Sequence, residues 1–442
     1  MRPIPRTLIA GAGLAGLSAA WHLGRKNIPS LIFEKENEAG GLCRSKRVRG
    51  FTFDQSGHLL HFKTSYARNL VKNLLKGNIF EHERSAWVSI GSRLIRYPFQ
   101  GNLFGLPPRI VEECLDGLIK VRGEESRRGS GKTVSFSQWI RRTFGQGIAR
   151  HFMEPYNTKF WTIPTREITC EWTSGMVPVP SLRRMIRGAK KENTEPLGYN
   201  ARFWYPGQGG IGRLARAFEE SLPALCLDAR ICRIDLGRKE IELSCGRREK
   251  FETLISTIPL PEMEKLLSGA IPRAVKEAFR KLRWNSILNL NLGIDTDGAG
   301  GSRHWIYFPR TPPVFFRVGF FHNFSPCLVP RGKSSLYAEI SYSSAKPVSK
   351  NNILTRVISG LRKNGLVSPG TKVISEDIND IRYGYPIYDR NYKKARACIL
   401  EFLEGQRIFP CGRYGKWEYM SMEDAILDGK KAAEKVSSPG KR

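Results

Sequence analysis

The stretch Thr7-Leu8-Ile9-Ala10-Gly11-Ala12-Gly13-Leu14-Ala15-Gly16 decides how this chain folds. Four residues with apolar character predict a strand, and the glycine-rich turn leads into a helix predicted to run to Gly24. A second strand, Ser30-Leu31-Ile32-Phe33, ends at the acid Glu34. Gly11 permits the tight turn, Gly13 lets backbone N–H groups approach a pyrophosphate at the helix N-terminus, and Gly16 lets helix and strand pack closely. Glu34 is then placed to accept a hydrogen bond from a ribose hydroxyl. Strand, turn, helix, strand and acid in this order predict a dinucleotide-binding unit.

The next residues select the dinucleotide. Glu38-Ala39-Gly40-Gly41-Leu42-Cys43-Arg44 resembles the second glycine pair and arginine of flavoproteins related to amine oxidases, where the backbone passes close to the flavin end of the cofactor. The resemblance implies FAD. With 442 residues the chain is too long for one compact core and suits interleaved lobes. No run approaches the about 20 apolar residues of a membrane span. The first residues, up to Leu23, superficially resemble a signal peptide, but their glycines match the cofactor turn, so they read as mature protein. Nine cysteines without a C-x-x-C pair or metal-ligand spacing suit free thiols in a reducing cytoplasm, with neither zinc nor a disulfide framework expected.

Lys plus Arg number 72 against 41 Asp plus Glu, a formal charge of +31 that suggests a polyanion partner. The basic residues are spread through every region and no nucleic-acid module is visible, so no specific nucleic-acid role is expected. Anionic small substrates and a peripheral contact with anionic membrane surfaces are both compatible with this balance.

Along the chain, Ser65 to Leu75 carries Leu70 and Leu74 at helical spacing, with Ser65 as the predicted N-cap and Gly77 beyond the end. Residues 65 to 200 read as largely helical, with a charged Gly/Ser loop from Arg122 to Lys132. Short strands are predicted at Ile231 to Leu236, Ile241 to Ser244 and Leu254 to Ile258, and longer β segments over 285 to 343. The expected fold is α/β: a Rossmann-like FAD-binding domain interleaved with a helical lobe and a mixed or antiparallel β-sheet lobe over the substrate cavity. The FAD-binding domain is expected to take residues 1–64, 205–262 and 405–442, the helical lobe 65–204 and the β-sheet lobe 263–404.

Further motifs follow in one order. They are Phe53-Asp54-Gln55-Ser56-Gly57-His58; Arg96-Tyr97-Pro98-Phe99-Gln100; Phe152-Met153-Glu154-Pro155-Tyr156-Asn157 with Lys159 and Trp161; and Trp305-Ile306-Tyr307-Phe308-Pro309. Then come Phe316-Arg317, Asn323-Phe324-Ser325-Pro326, Gly384-Tyr385-Pro386 and Cys411-Gly412-Arg413-Tyr414-Gly415-Lys416-Trp417-Glu418-Tyr419. Together they resemble the UDP-galactopyranose mutases, nearest to the eukaryotic-type enzymes, within the amine oxidase and protoporphyrinogen oxidase-like FAD superfamily.

That resemblance implies site roles residue by residue. Tyr97, Gln100, Asn157 and Trp161 would line the nucleotide pocket. Arg317 would hold the diphosphate with its guanidinium fork, helped by the phenols of Tyr307, Tyr385 and Tyr419. His58 and Arg413 would be the catalytic pair beside the flavin. Cofactor contacts would come from Gly11, Gly13, Leu14, Ala15 and Gly16 in the first turn, and from Glu34 and Lys35 after the second strand. Gly41, Leu42, Arg44, Ile231 and Gly412 would add further contacts, together with His58 and Arg413. No metal is implied. The implied reaction interconverts pyranose and furanose forms of a UDP-sugar, with UDP-galactose first in line, through an adduct between the sugar and N5 of reduced flavin. It needs a reductant and would serve cell-surface polysaccharide synthesis.

Two departures from the family pattern stand out. Met176 occupies the position of a diphosphate arginine, with Arg183 and Arg184 one turn away, and Glu423 replaces an asparagine, which would put a carboxylate near a sugar or phosphate. An amine oxidase or protoporphyrinogen oxidase-like oxidoreductase is the first alternative, although Asn285 to Leu292 lacks the lysine that amine oxidases place near the flavin. A non-catalytic flavin-binding partner of a polysaccharide assembly is the second.

Overall fold

The structure, a computed structural model, describes residues 7–125, 135–173, 176–195, 197–198, 200–222 and 225–437. At its base is a five-stranded sheet in the order Ile408–Pro410, Thr253–Ser256, Thr7–Ala10, Ser30–Phe33, Leu225–Cys226. All four pairings are parallel. The central strand Thr7–Ala10 is buried along its whole length, as expected of a parallel strand covered on both faces. Helix Leu14–Gly24 packs on helix Met422–Ser437, where Ser18 Oγ donates to the Ile426 carbonyl at 2.7 Å. Strands from widely separated parts of the chain thus build one α/β layer.

A four-stranded sheet flanks this layer, ordered Arg248–Lys250, Glu240–Leu243, Ile231–Asp235, Leu267–Ser268. The larger sheet is seven-stranded and mixed: Val373–Pro386, Trp284–Ile294, Ser334–Tyr342, Arg317–Phe320, Trp305–Tyr307, Ala86–Ile90, Arg93–Arg96. Its pairings are antiparallel except for the parallel contact between Trp305–Tyr307 and Ala86–Ile90.

That membership is an exception within residues 65 to 200, which are otherwise largely helical as expected. Ala86-Trp87-Val88-Ser89-Ile90 alternates buried and half-buried positions, and Gly91 turns it back on Arg93–Arg96 with φ +61°. The period of two outweighs the helical neighbourhood. The helices Pro108–Glu125, Phe136–Ile148, Glu154–Trp161 and Leu182–Lys190 make up much of the remainder. The first of these carries the chain in helical form through Arg122 to Glu125, so the predicted loop does not begin at Arg122; residues 126–132 lie outside the described residues. Helix Ser65–Leu75 forms as expected, but its cap is Thr64, whose hydroxyl accepts from Ala67 N–H at 3.3 Å.

Candidate active site

Gly13 sits at the N-cap of helix Leu14–Gly24 in extended conformation with no side-chain cap, so the first N–H groups of the helix lack the usual side-chain acceptor. A Cβ placed on Gly13 would meet nothing within 4 Å. The space beside this helix N-terminus is open, the arrangement a pyrophosphate requires. The flanking glycines are closed by contrast: a Cβ at Gly11 (φ +97°) would meet Thr257 Oγ1 at 2.2 Å, and one at Gly16 would meet the Gly11 carbonyl at 2.0 Å. Gly40 bridges to Gly13 and donates its N–H to the Ala12 carbonyl at 2.8 Å, so the second glycine pair lies against the first.

Glu34 is buried, and its carboxylate accepts from Ala12 N–H at 2.7 Å and Glu36 N–H at 3.1 Å. The acid is thereby fixed beside the glycine turn. Ala229 N–H donates to the Glu34 carbonyl at 2.7 Å, which brings the start of strand Ile231–Asp235, and with it Ile231, to the same end of the cradle. Lys35 points to solvent and pairs with Glu36 at 3.4 Å. Arg44 Nε donates to the Gly41 carbonyl at 3.0 Å and so braces the second glycine turn. Gly412 (φ +74°) approaches the first helix so closely that a Cβ would meet Ala15 Cβ at 2.5 Å. Lys35 apart, these residues form a cradle whose open space at Gly13 suits a dinucleotide.

Leu42 leads from the cradle toward an aromatic wall: it packs on the small core of Ile287, Phe316 and Ile381 against which Tyr156, Phe160 and Tyr385 also rest. The wall is continuous. Tyr97 lies 5.1 Å from Tyr307 between ring centroids, Tyr307 is 5.3 Å from Tyr156, Tyr156 6.1 Å from Phe160, Phe160 4.7 Å from Tyr385, and Tyr385 stacks on Tyr419 at 5.7 Å. The guanidinium of Arg413 closes it, 4.4 Å from the Tyr385 ring and 4.9 Å from that of Tyr419. Arg413 donates to the carbonyls of Gly384 (3.0 Å) and Met420 (3.2 Å), while its Nε is buried with no partner. Burial raises the phenols of Tyr97, Tyr156, Tyr307 and Tyr385, so each keeps its proton at neutral pH.

His58 lies on the same side. Its Nδ1 faces the Ser56 carbonyl at 3.2 Å, and burial together with the charges of Arg413 and Arg317 pushes its pKa down to about 4. The imidazole is neutral. The preceding Gly57 backs onto Tyr337, whose hydroxyl an added Cβ would meet at 2.2 Å. Arg317 in turn lies over the Tyr337 ring at 5.8 Å and forms a two-point ion pair with buried Glu339. Tyr337 and Glu339 are candidate-site residues that sequence reasoning missed. Their signal is the alternation in Leu336-Tyr337-Ala338-Glu339-Ile340: one face is aliphatic, and the other presents a phenol and an acid that a buried strand does not carry without partners.

The other expected nucleotide residues are arranged differently. Gln100 is buried and ties down the Pro178 carbonyl at 2.8 Å, leaving Oε1 buried and unpartnered. Met176, two residues earlier in the tied segment, is half-buried. Asn157 spends its amide on the Met153 carbonyl at 2.7 Å, inside its own helix region. Trp161 is packed behind the wall, against Trp172, Tyr385 and Tyr388, with its indole N–H buried and unpartnered. Arg183 is exposed and Arg184 is engaged by Glu195, with Nη2 to its carbonyl at 2.6 Å. Glu423 is corrected outright. It is fully buried, and its carboxylate accepts from Lys63 N–H (2.7 Å), Thr64 N–H (2.8 Å) and the Thr64 hydroxyl (2.7 Å), so it anchors the entry to helix Ser65–Leu75 and offers no free oxygen to a sugar.

Comparison with known proteins agrees with this geometry. Residues 14–437 match the model of the flavin-containing amine oxidoreductases. The chain belongs to that family. FAD is its cofactor, and the fold is the mixed α/β architecture of these flavoenzymes. A crystal structure of reduced UDP-galactopyranose mutase superposes with a TM-score of 0.92 at 29% identity, covering 98% of this chain and 93% of that one. A putative protoporphyrinogen oxidase from Exiguobacterium sp. 255-15 gives a TM-score of 0.77 at 17% identity over 99% of both chains, a likeness of fold. Mitochondrial protoporphyrinogen oxidase of Nicotiana tabacum is 20% identical over 327 residues, 59% of each protein. Hydroxysqualene dehydroxylase of Sinorhizobium fredii is 38% identical over 66 residues, 14% of this chain and 16% of that protein. The flavoenzyme therefore matches less than two thirds of the length of each of these two curated relatives. Among its described residues no helix is long and apolar enough to cross a membrane.

Proposed function

We propose that the flavoenzyme interconverts ring forms of a UDP-sugar, UDP-galactose being the first candidate, in the manner of a UDP-galactopyranose mutase. The observation that carries this reading is the unbroken wall from Tyr97 through Tyr307, Tyr156, Phe160 and Tyr385 to Arg413, with Arg317 beside Tyr307 in strand register. Such a wall suits an elongated ligand with an aromatic base at one end, an anion in the middle and a sugar at the flavin end. Its likeness to the reduced mutase structure supports the same assignment.

Each residue has a physical task in this reading. Tyr97 offers a ring face to the base, and the unpartnered Gln100 Oε1 offers an acceptor to its edge. Arg317 donates through Nη1, the guanidinium nitrogen that Glu339 does not take, and protonated Tyr307 and Tyr385 donate to the same diphosphate. Hydrogen-bond donors fixed there, one of them on the Arg317–Glu339 pair, stabilise the diphosphate as it leaves, when its negative charge is greatest. Arg413, held by two backbone carbonyls, orients the sugar with its unpartnered Nε. Neutral His58 acts as a hydrogen-bond partner at the flavin end without adding charge. Bound FAD in its reduced form supplies the nucleophilic chemistry, and the protein supplies position and electrostatics.

Strand Trp284–Ile294 offers Asn285, Asn289 and Asn291 where an amine oxidase would use lysine. All three are fully buried, and Asn285 and Asn291 are tied to Phe160 and Asp54 carbonyls at 2.7 and 2.8 Å. The family's oxidative chemistry is the second reading, favoured by the match to the Nicotiana protoporphyrinogen oxidase. The deciding experiment is anaerobic. Dithionite-reduced enzyme is expected to convert UDP-galactofuranose to UDP-galactopyranose without consuming reductant, and oxidised enzyme to be inert. Steady oxygen consumption with an amine or porphyrinogen, without ring interconversion, would establish the oxidase instead.

A further inference from the structure

A groove of about 520 Å³ opens on the seven-stranded sheet lobe, away from the dinucleotide cradle, between residues 311–314, the end of strand Ser334–Tyr342, residues 346–348 and helix Ile353–Lys363. Its cations are Lys346, Arg356 and Lys363, and no Asp or Glu occurs among its described lining residues. Thr355, Ser359 and Lys363 follow one another at helical i, i+4 spacing, so two hydroxyls and an ammonium share one face. Ser341 also lines the groove and keeps a buried hydroxyl with no partner. Pro312, Pro313 and Pro347 stiffen the walls.

Positive charge accumulates here with no acid among the described lining residues, Arg356 Nη1 donating to the Ser349 carbonyl at 3.3 Å. Behind the groove lies Lys159, 5% exposed, whose ammonium donates to the carbonyls of Phe308 (3.0 Å), Arg310 (2.7 Å) and Pro313 (2.7 Å). Burial and the charge of Lys346 bring the Lys159 pKa down to about 7, and burial lowers that of Lys346. An oligoanion seated among these groups would relieve their repulsion and give the Ser341 hydroxyl a partner.

We infer that this groove is a second anion site, built for a phosphate group carried by a molecule other than the substrate. It is also connected to the candidate active site. Residues 308–316 join Tyr307 to Arg317, and Lys159 ties that loop to helix Glu154–Trp161, which carries Asn157 and Trp161. An occupant pressing on residues 311–314 bears directly on the segment that positions both site residues.

The probe is inorganic pyrophosphate, titrated calorimetrically at low salt into the FAD-loaded full chain. Binding is expected in the parent and in Arg317→Ala. It is expected to weaken at least tenfold in the double variant Arg356→Gln/Lys363→Gln, whose side chains are exposed and whose removal spares the core. A control double variant elsewhere on the surface, Arg238→Gln/Lys276→Gln, should leave it unchanged. Any event lost only in Arg317→Ala belongs to the substrate pocket, so the two sites report separately. Sedimentation with phosphatidic acid vesicles, against phosphatidylcholine vesicles, separates the sources. Groove-dependent pelleting assigns the phosphate to a lipid headgroup, and binding of free pyrophosphate without pelleting assigns it to a soluble ligand. No groove-dependent binding in either form, or equal weakening by the control variant, would overturn the site.

Discussion

Arg317 and Glu339 stand directly opposite each other on paired antiparallel strands, and their side chains close a two-point ion pair with Nη2 to Oε1 at 2.8 Å. Glu339 is 2% exposed, and its charge holds the guanidinium well above the usual arginine range against the cost of burial. The proposed diphosphate contact therefore reaches the site already oriented and neutralised on one side. Removing either partner strands a buried charge, which costs about 3–5 kcal/mol. Glu339→Gln and Arg317→Ala are each expected to lose stability on that scale in urea denaturation, and Arg317→Met/Glu339→Leu to lose far less. Additive losses in the double variant would show that the two side chains act independently.

Gly13 makes a clean test of the cradle. Its φ of −70° suits any L-residue, and a Cβ there touches nothing within 4 Å, so Gly13→Val is compatible with the protein fold itself. The added side chain fills the space beside the helix N-terminus where the pyrophosphate belongs. The variant should fold with parental circular dichroism and emerge colourless. Full FAD occupancy, measured by absorbance of the released cofactor, would contradict the assignment.

The dinucleotide unit was legible because its signals are local. Gly11, Gly13 and Gly16 lie within one turn, and the conformations they permit are tied to neighbours in sequence. The substrate end was legible only as positions. That Glu423 belongs to the C-terminal motif is visible in the sequence, but its bond to Thr64 spans 359 residues and depends on how two helices meet. Glu339 was missed for the same reason. A strand reads as buried from its alternation, whereas the partner of its single acid is set by strand register, and residues 317 and 339 pair only once the sheet is assembled. The strands of 86–96 show a competition between periods, where a short two-residue alternation lay inside a helical neighbourhood.

Acid sensitivity follows from neutral histidines. Burial lowers His304 to about 4, with the nearby His82 adding to the effect, and His58 and His61 are lowered to about 4 as well. An unfolded histidine takes up its proton near pH 6.5, so between about 6.5 and 4 the unfolded state binds more protons. Stability from these groups is complete above about pH 6.5 and is lost as pH falls toward 4. Asp54 opposes the trend: burial raises it to about 6, so it favours the folded state as pH drops below that value, but it is one group against these three histidines and the likewise lowered His22, His82 and His322. Melting temperature should therefore fall from pH 7 to pH 5, and the fall should be shallower in His304→Gln. An unchanged slope in that variant would place the sensitivity elsewhere.

Substrate affinity tests what Met176 has replaced. The segment that carries Met176 is held to Gln100 through Pro178, so an arginine at 176 would enter beside the proposed base and diphosphate positions. With Met176 uncharged, the proposed diphosphate contact rests on the single nitrogen of Arg317 that Glu339 leaves and on the phenols of Tyr307 and Tyr385. Losing a charge-assisted contact in a partly desolvated pocket costs roughly 2–4 kcal/mol, about thirtyfold to a thousandfold in affinity. Arg317→Ala is expected to weaken UDP binding to reduced enzyme by that factor, read by flavin fluorescence. Arg317→Lys should recover only part, because an ammonium cannot hold Glu339 at two points and still present a fixed N–H to the ligand. Met176→Arg should tighten UDP. Unchanged affinity in both Arg317→Ala and Met176→Arg would remove the diphosphate from this wall, and with it the nucleotide-sugar reading.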